Sequence, residues 1–469
     1  MLLGCASVPP PTPYGPVPSA RQLAWHELEM CAFIHFGVNT FTDREWGHGR
    51  EDPALFNPSA LDCRQWTRVC KEAGMRGIIL TAKHHDGFCL WPSRHTEHSV
   101  QGSPWRGGKG DVVRELAQAC QEYGLKLGIY LSPWDRHEPS YGDSPRYNQH
   151  YQNQLRELLT NYGEIFEIWF DGACGEGPNG RRQVYDWPAF FDVVRQCQPR
   201  AVIFSDGGPD VRWVGNEKGF ASLTNWCLLR REQVWPGYPR FAELTTGHAD
   251  GTHWVPAEAD VSIRPGWFYH PAEDSSVKTV DQLLEIYYGS VGRNAGLLLN
   301  VPVDRRGLIP EPDAARLGEF RRALEAEFPK NLARGAKPSA SNVRGASPRF
   351  SARRAIDGDK RTYWASDDSV IAAWLAVDLR SPQELNRVVL QEYIPLGQRV
   401  EQFVVEIEEG GIWRPIAEGT TIGYKRILTF PTVVSSKLRL RILRARACPT
   451  LAHLALYRAP ERRPAEGKP

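Results

Sequence analysis

Ile165-Phe166-Glu167-Ile168-Trp169-Phe170-Asp171-Gly172-Ala173 decides how this chain folds. A short apolar run rich in Ile, Phe and Trp has the composition of a buried strand. It stops at an acid and a glycine. Such an ending marks either a turn or a carboxylate that faces a site, and taken alone the turn is the commoner cause. Three more runs end the same way. Ala32-Phe33-Ile34 leads into His35-Phe36-Gly37. Gly77-Ile78-Ile79-Leu80-Thr81 leads into Lys83-His84-His85-Asp86-Gly87, and Lys126-Leu127-Gly128-Ile129-Tyr130-Leu131 leads into Ser132. Reactive side chains at the C-terminal ends of successive strands are the layout of a (β/α)8 barrel enzyme.

Strand and helix patterns alternate from residue 31 to 327. Ser59-Ala60-Leu61-Asp62 has the form of a capping box, with Trp66, Val69, Cys70 and Ala73 following at helical spacing before Gly74. Val113, Leu116, Ala117 and Cys120 repeat that spacing before Gly124. Further strands are expected over 201–205 and 296–300, with a helix over 280–290. Repeated βα units give a parallel sheet, closed because the count approaches eight. Between Asp206 and Pro265 periodicity is poor, so strands six and seven are not placed. After Pro329 the texture changes. A linker rich in Ala, Ser, Gly and Asn gives way to alternating runs at 374–379, 387–390, 403–407 and 437–442, which suggest an antiparallel β-sandwich. The expected division is a tether over 1–24, a barrel over 25–330, a linker over 331–345, a sandwich over 346–459 and a disordered tail over 460–469.

Length and charge narrow the function. The 469 residues accommodate a barrel of about 250 residues plus a smaller module. With 57 basic and 55 acidic residues interspersed, no basic stripe points to nucleic acid. Sixteen tryptophans hint at carbohydrate, since indole faces stack on sugar rings as well as fill cores. The ten cysteines show neither metal spacing nor a disulfide framework. No run is long and apolar enough to span a membrane. Met1-Leu2-Leu3-Gly4-Cys5 resembles the end of a bacterial lipoprotein signal, which implies a secreted or periplasmic protein anchored at Cys5. The hydrophobic region of such a signal is missing.

The expected strand ends carry His35, Glu45, His84, His85, Tyr130 and Asp171, with Trp46 and Trp169 beside them. Zinc on His84 and His85 finds no support: HExxH is absent, and neighbours on a strand diverge. A serine hydrolase lacks its GxSxG elbow, and no GxGxxG or GxxxxGK[ST] points to a nucleotide. Paired carboxylates remain, as glycoside hydrolysis requires. Asp171 is the natural nucleophile. Glu217, Glu232 and Glu258 are candidates for the acid/base. Glu217 lies in Trp213-Val214-Gly215-Asn216-Glu217-Lys218-Gly219, beside a tryptophan whose apolar surface would raise its pKa. Spacing alone does not choose among the three.

His35-Phe36-Gly37, Glu45-Trp46, Lys83 to Phe88, Gly128 to Ser132, Trp169 to Gly172, Ser262-Ile263-Arg264-Pro265-Gly266-Trp267-Phe268 and Leu299-Asn300-Val301-Pro302 together resemble the α-L-fucosidases of glycoside hydrolase family 29. The stretch from Lys83 to Ser93 and the Gly-Asn-Glu loop resemble the branch acting on α-1,3/1,4-linked fucose in branched oligosaccharides. The resemblance implies Asp171 as nucleophile and Glu217 as acid/base. It implies hydrogen bonds to fucose from His35, Glu45, His84, His85 and Tyr130, a pocket lined by Trp46 and Trp169, and Trp267 against the 6-methyl group. Arg264 is assigned either to substrate or to structure. Ala259 departs from the family pattern, which has Cys there. A retaining double displacement without cofactor is implied, with carboxyl groups about 5–5.5 Å apart. Ala355 to Asp359 and Thr362 to Ser366 resemble the discoidin or carbohydrate-binding-module-32 fold. That fold often holds calcium, here near Asp357, Asp359 and Thr362, but His453 stands where a glutamate is expected. A lectin with a degenerate barrel would lack one of the two acids, and both are present. An α-galactosidase is disfavoured only by the resemblance.

Overall fold

A computed structural model of the chain describes residues 8–461. Cys5 and the tail beyond residue 461 lie outside the described residues. Eight parallel strands close a barrel: β1 (Met30–Ile34), β2 (Gly77–Lys83), β3 (Lys126–Leu131), β4 (Ile165–Trp169), β5 (Val202–Ser205), β6 (Val211–Trp213), β7 (Ala257–Ser262) and β8 (Ala295–Asn300). The last pairs with the first, Met30 opposite Leu297 and Phe33 opposite Asn300. Helices Cys63–Glu72, Val112–Tyr123, Ser144–Asn161 and Trp187–Cys197 follow the first four strands, and Val280–Gly289 and Glu311–Glu327 follow the last two. The helix expected after Ser59 begins later: Asp62, not Ser59, is its N-cap, accepting from Arg64 N at 2.9 Å.

The two unplaced strands are β6 and β7. Residues 206–210 join β5 to β6 without a helix, and residues 214–256 form a long excursion between β6 and β7. Arg212, fully buried in β6, holds that excursion together. Its guanidinium donates to Leu244 O (3.0 Å), to Asn225 Oδ1 (2.8 Å) and to Val255 O. A charged residue in a three-residue strand masks the strand from a hydrophobicity pattern.

The barrel floor is closed by helix Ala20–His26, started by a Ser19/Gln22 capping box. Trp25 Nε1 from this helix donates to Glu167 Oε2 inside the barrel at 3.0 Å. The expected tether is not free where it is described. Arg344 donates to Pro9 O (2.7 Å), Arg399 to Thr12 O (2.6 Å), and Tyr14 N to Leu396 O (3.0 Å), so residues 9–14 are fastened to the C-terminal domain.

The C-terminal domain is an antiparallel β-sandwich with its own core, including Trp364, Leu375, Val388, Phe403 and Leu440. Two 20-residue strands, Ala373–Glu392 and Arg426–Ala445, run through it with bulges that bend them. The segment expected as a linker contributes strand Lys337–Ala340, paired with 375–378. The domains are docked firmly: Gln398 Oε1 accepts from Cys227 N at 2.7 Å, and Ile394 packs among Trp226, Leu228 and Trp254.

Candidate active site

The C-terminal ends of the strands converge on one aromatic, histidine-rich basin. His35 follows β1, His84 and His85 follow β2, Tyr130 lies in β3 and Asp171 follows β4. Their rings touch in a chain: His35 to His84 at 5.7 Å, His84 stacked on Tyr130 at 5.9 Å, Tyr130 to Trp169 at 5.5 Å, and His35 to Trp267 at 5.2 Å. Trp46 meets His85 edge-on at 5.8 Å and is 58% exposed, so it forms the lip.

Asp171 is held from both sides. Tyr130 OH donates to Oδ2 at 2.9 Å, and Ala173 N donates to Oδ1 at 2.8 Å. His85 Nε2 stands 3.8 Å from Oδ2. The carboxylate is thus fixed in one rotamer yet partly open, as an attacking group must be.

Hydrogen-bond directions fix what the imidazoles offer. Ser132 Oγ donates to Trp134 O at 2.6 Å, so it accepts from His85 Nδ1 at 2.7 Å. Asn300 Nδ2 donates to Ser262 Oγ and Trp267 O, so its Oδ1 accepts from His35 Nδ1 at 2.8 Å. With Nδ1 carrying the proton, both rings keep Nε2 as an acceptor. Burial holds His35 down at about 3, and drives His84 well below and His85 below the usual histidine range. All three are therefore neutral near pH 7, suited to accept sugar hydroxyl protons.

Glu217 hangs over this basin from the excursion after β6. Its Oε2 accepts from Trp267 Nε1 at 3.3 Å. Burial raises its carboxyl above the usual range, and the charges of Asp171 and Glu45 push the same way. The other two acid candidates stand elsewhere. Glu232 is exposed and bonded to Thr252. Glu258 points into the barrel beneath the basin, where it accepts from Trp169 Nε1 at 2.9 Å and burial pushes it up to about 7.

Glu45, expected to meet fucose, also has a structural task. Its oxygens take Trp267 N at 2.9 Å, Phe268 N at 3.1 Å and His270 Nε2 at 2.6 Å, so it ties down the segment carrying Trp267. Of the two assignments left to Arg264, the geometry supports the structural one. It is fully buried, turned away from the basin, and chelates Asp313 at 2.9 and 3.1 Å and Asp274 at 2.9 Å. Trp169 is floor rather than wall, stacked on Phe204 at 4.0 Å.

This geometry has known counterparts. The Alpha-L-fucosidase family profile matches residues 19–326, and the F5/8 type C domain matches residues 337–453. Alpha-L-fucosidase 1 of Arabidopsis thaliana is 46% identical over 453 residues, covering 96% of this chain and 89% of its own length. The chain belongs to the α-L-fucosidase family. Like the rest of the family it is a glycoside hydrolase. Among solved structures, a glycoside hydrolase 29 family member from an unknown rumen bacterium has a TM-score of 0.84 at 46% identity, over 96% of this chain and 79% of that one. A family 29 fucosidase from Ruminococcus gnavus, solved with fucose, has a TM-score of 0.88 at 32% identity, over 97% of this chain and 98% of that one.

The fucosidase basin holds two acids that sequence reasoning passed over. Asp206 follows β5, and Ser205-Asp206-Gly207 repeats the strand, acid, glycine pattern of Asp171. It accepts from Gly237 N and lies against Gly172, where a Cβ would stand 2.0 Å from its Oδ2. That approach admits only glycine at 172. Burial pushes Asp206 up to about 7. Asp260, from β7, accepts from Trp213 Nε1 at 2.7 Å, and burial holds its carboxyl well above the usual range. The alternation in Ala257-Glu258-Ala259-Asp260 was the available signal: small residues outside, acids inside.

The loop considered for calcium does not fit a cation. Arg361 pairs with Asp359 at 2.9 Å, Arg354 stands 3.5 Å from Asp357, and Thr362 Oγ1 donates to Asp357 Oδ2 at 2.8 Å. Burial keeps His453 down at about 4, so it brings no charge. Two carboxylates already facing guanidinium groups leave too few free oxygens for calcium's six to eight.

Proposed function

We propose that the chain is a retaining exo-α-L-fucosidase that removes terminal α-1,3/1,4-linked L-fucose from branched oligosaccharides. The observation that carries this is the pairing of a clamped carboxylate, Asp171, with a raised carboxyl, Glu217, across a basin of neutral histidines. In the first step Asp171 Oδ attacks the anomeric carbon, the glycosidic C–O bond breaks, and Glu217 gives its proton to the leaving oxygen. In the second, Glu217 takes a proton from water, the hydroxide bonds to the anomeric carbon, and Asp171 leaves with its electron pair. Two inversions retain configuration. His35, His84 and His85 receive sugar hydroxyls, Tyr130 holds Asp171, and Trp267 covers the apolar 6-methyl face. The fucose bound in the Ruminococcus gnavus relative supports this choice of sugar.

The linkage reading rests on the Lys83–Ser93 stretch and the Glu217 loop. A branched acceptor offers a second sugar to bind. Three tryptophans at the end of β6 and in the excursion after it could meet it: Trp226 is buried between the domains and Trp213 is tied to Asp260, while Trp235 is 54% exposed. Trp235 stands two residues from Gly237, which reaches Asp206 beside the β4 end. Comparison of kcat/KM on a Lewis-type trisaccharide, 2′-fucosyllactose and an aryl fucoside tests the linkage. The trisaccharide should win, because acceptor contacts lower the barrier only when the acceptor is present. Equal rates on the 1,2-linked sugar would leave a fucosidase of broader linkage range.

A further inference from the structure

We propose that the cleft between the barrel and the sandwich binds an acidic saccharide through Arg293 and Arg426. The cleft has a volume of about 990 Å3, at the upper end of the roughly 300–1,000 Å3 of small-molecule sites. It lies away from the fucosidase basin. Arg293, just before β8, and Arg426, at the start of a sandwich strand, form an isolated antiparallel bridge. Residues directly opposite in such a bridge project to the same face. Two guanidinium groups therefore stand side by side where the two domains meet.

Glu285 and Glu461 also line the cleft, but neither pairs with these two arginines. Arg426 is 3% exposed, and its side chain's only hydrogen bond among the described residues runs from Nη1 to Leu223 O at 2.6 Å. Its Nε is buried without any partner. The side chain of Arg293 has one bond among the described residues, from Nη1 to Ala221 O at 2.9 Å. Among the described residues neither arginine has a carboxylate within ion-pair distance. Nearby arginines are treated otherwise: Arg387, in the same cleft, meets Glu327 at 3.2 Å. A buried charge beside a like charge is costly unless an anion completes it. The guanidinium fork matches the paired oxygens of a carboxylate or a sulfate.

The size of the cleft selects a carrier for that anion. An inorganic ion would fill a small part of the space. The half-buried aromatic rings of Phe220 and Tyr288 on its wall offer apolar faces for the CH surface of a sugar. A glycan carrying both fucose and an acidic residue presents both chemistries in one molecule.

Isothermal titration of the full chain with 3′-sialyllactose, lactose 3′-sulfate, lactose and inorganic sulfate tests this. Both acidic saccharides should bind saturably, with affinity falling as salt rises. Lactose and inorganic sulfate should not. Arg293→Gln should weaken the acidic saccharides about tenfold or more, while aryl-fucoside turnover stays unchanged. Arg426→Gln should act in the same direction. Arg293 carries the test because it is only half-buried and its replacement spares the packing. No binding by either acidic saccharide, or affinity untouched by both substitutions, would overturn the proposal. Inorganic sulfate binding as tightly as the sugars would overturn it too, leaving a bare anion site.

Discussion

The first four strands of the barrel and the next three are built from different materials. β1 to β4 are mainly apolar runs, with Lys83 and Glu167 as their buried charges, and their chemistry begins where they stop: His35, His84, His85 and Asp171 lie one to three residues past the last apolar residue of their runs. β5 to β7 are shorter or carry charges within them, with Arg212, Glu258 and Asp260 buried inside the barrel. The first half fixes Asp171 from a rigid strand end. The second half delivers Glu217 from a 43-residue excursion, 214–256, pinned by Arg212. A nucleophile needs one fixed line of attack, whereas an acid/base serves two steps and two partners. On the proposed roles, the rigid half defines the sugar site and the looped half meets whatever leaves.

Asp171→Ala should break this division most severely. Turnover should fall by several orders of magnitude on every fucoside, because the first half contributes the bond that all substrates share. A folded Asp171→Ala protein with near-normal activity would show that the strand end does not hold the nucleophile. Glu217→Ala should be selective instead. Poor leaving groups should slow by about 10²–10⁴, while an aryl fucoside with a good leaving group keeps most of its first step. Azide should restore turnover by attacking the intermediate. If Glu258→Ala behaves this way and Glu217→Ala does not, the acid lies on the barrel floor. The pH profile sharpens the point. Glu217 must be protonated to act, and burial raises its pKa, so kcat/KM should fall as pH rises through a value above the usual glutamate range near 4.3. That alkaline limb should vanish for the aryl substrate in Glu217→Ala.

Arg264→Leu tests whether the looped half has its own fixed point. Removing one partner of a buried pair strands Asp313, and stability should drop by about 3–5 kcal/mol in denaturant titration. Sugar specificity should be unaffected in the protein that remains folded; a change in KM for aryl fucoside with stability intact would place Arg264 in the substrate site after all. Glu45→Ala should be the mildest of the four. Losing charge-assisted bonds to Trp267, Phe268 and His270 costs about 1.5–3 kcal/mol, or roughly a ten- to hundredfold drop in kcat/KM. His270→Ala should reproduce part of that drop if Glu45 acts by holding the Trp267 segment. Full activity in His270→Ala with a large loss in Glu45→Ala would mean that Glu45 meets the sugar itself.

The same division governs how much was legible beforehand. Apolar runs closed by polar residues exposed β1 to β4, β8 and the basin residues on them. β6 stayed hidden because it is three residues long around a buried arginine, and β7 because acids alternate along it. Asp206 carried its signal in plain view, ending the strand 201–205 in the same pattern as Asp171, but its carboxylate serves a neighbouring loop. Arg264 and Glu45 show a further limit. Their places in the family's motifs were plain, but which way each side chain turns depends on Asp313 and His270, far away in the chain.

The fastening of residues 9–14 to the sandwich has a temporal consequence. Thr12 accepts from Arg399, 387 residues later in the chain. At roughly 5–20 residues per second of synthesis, the partner follows about 20–80 seconds behind. Through that interval the amino-terminal arm has nowhere to settle, and the barrel must close without it. The contacts that fasten the arm therefore join residues 387 positions apart, and they form only after the barrel and the first strands of the sandwich have been made.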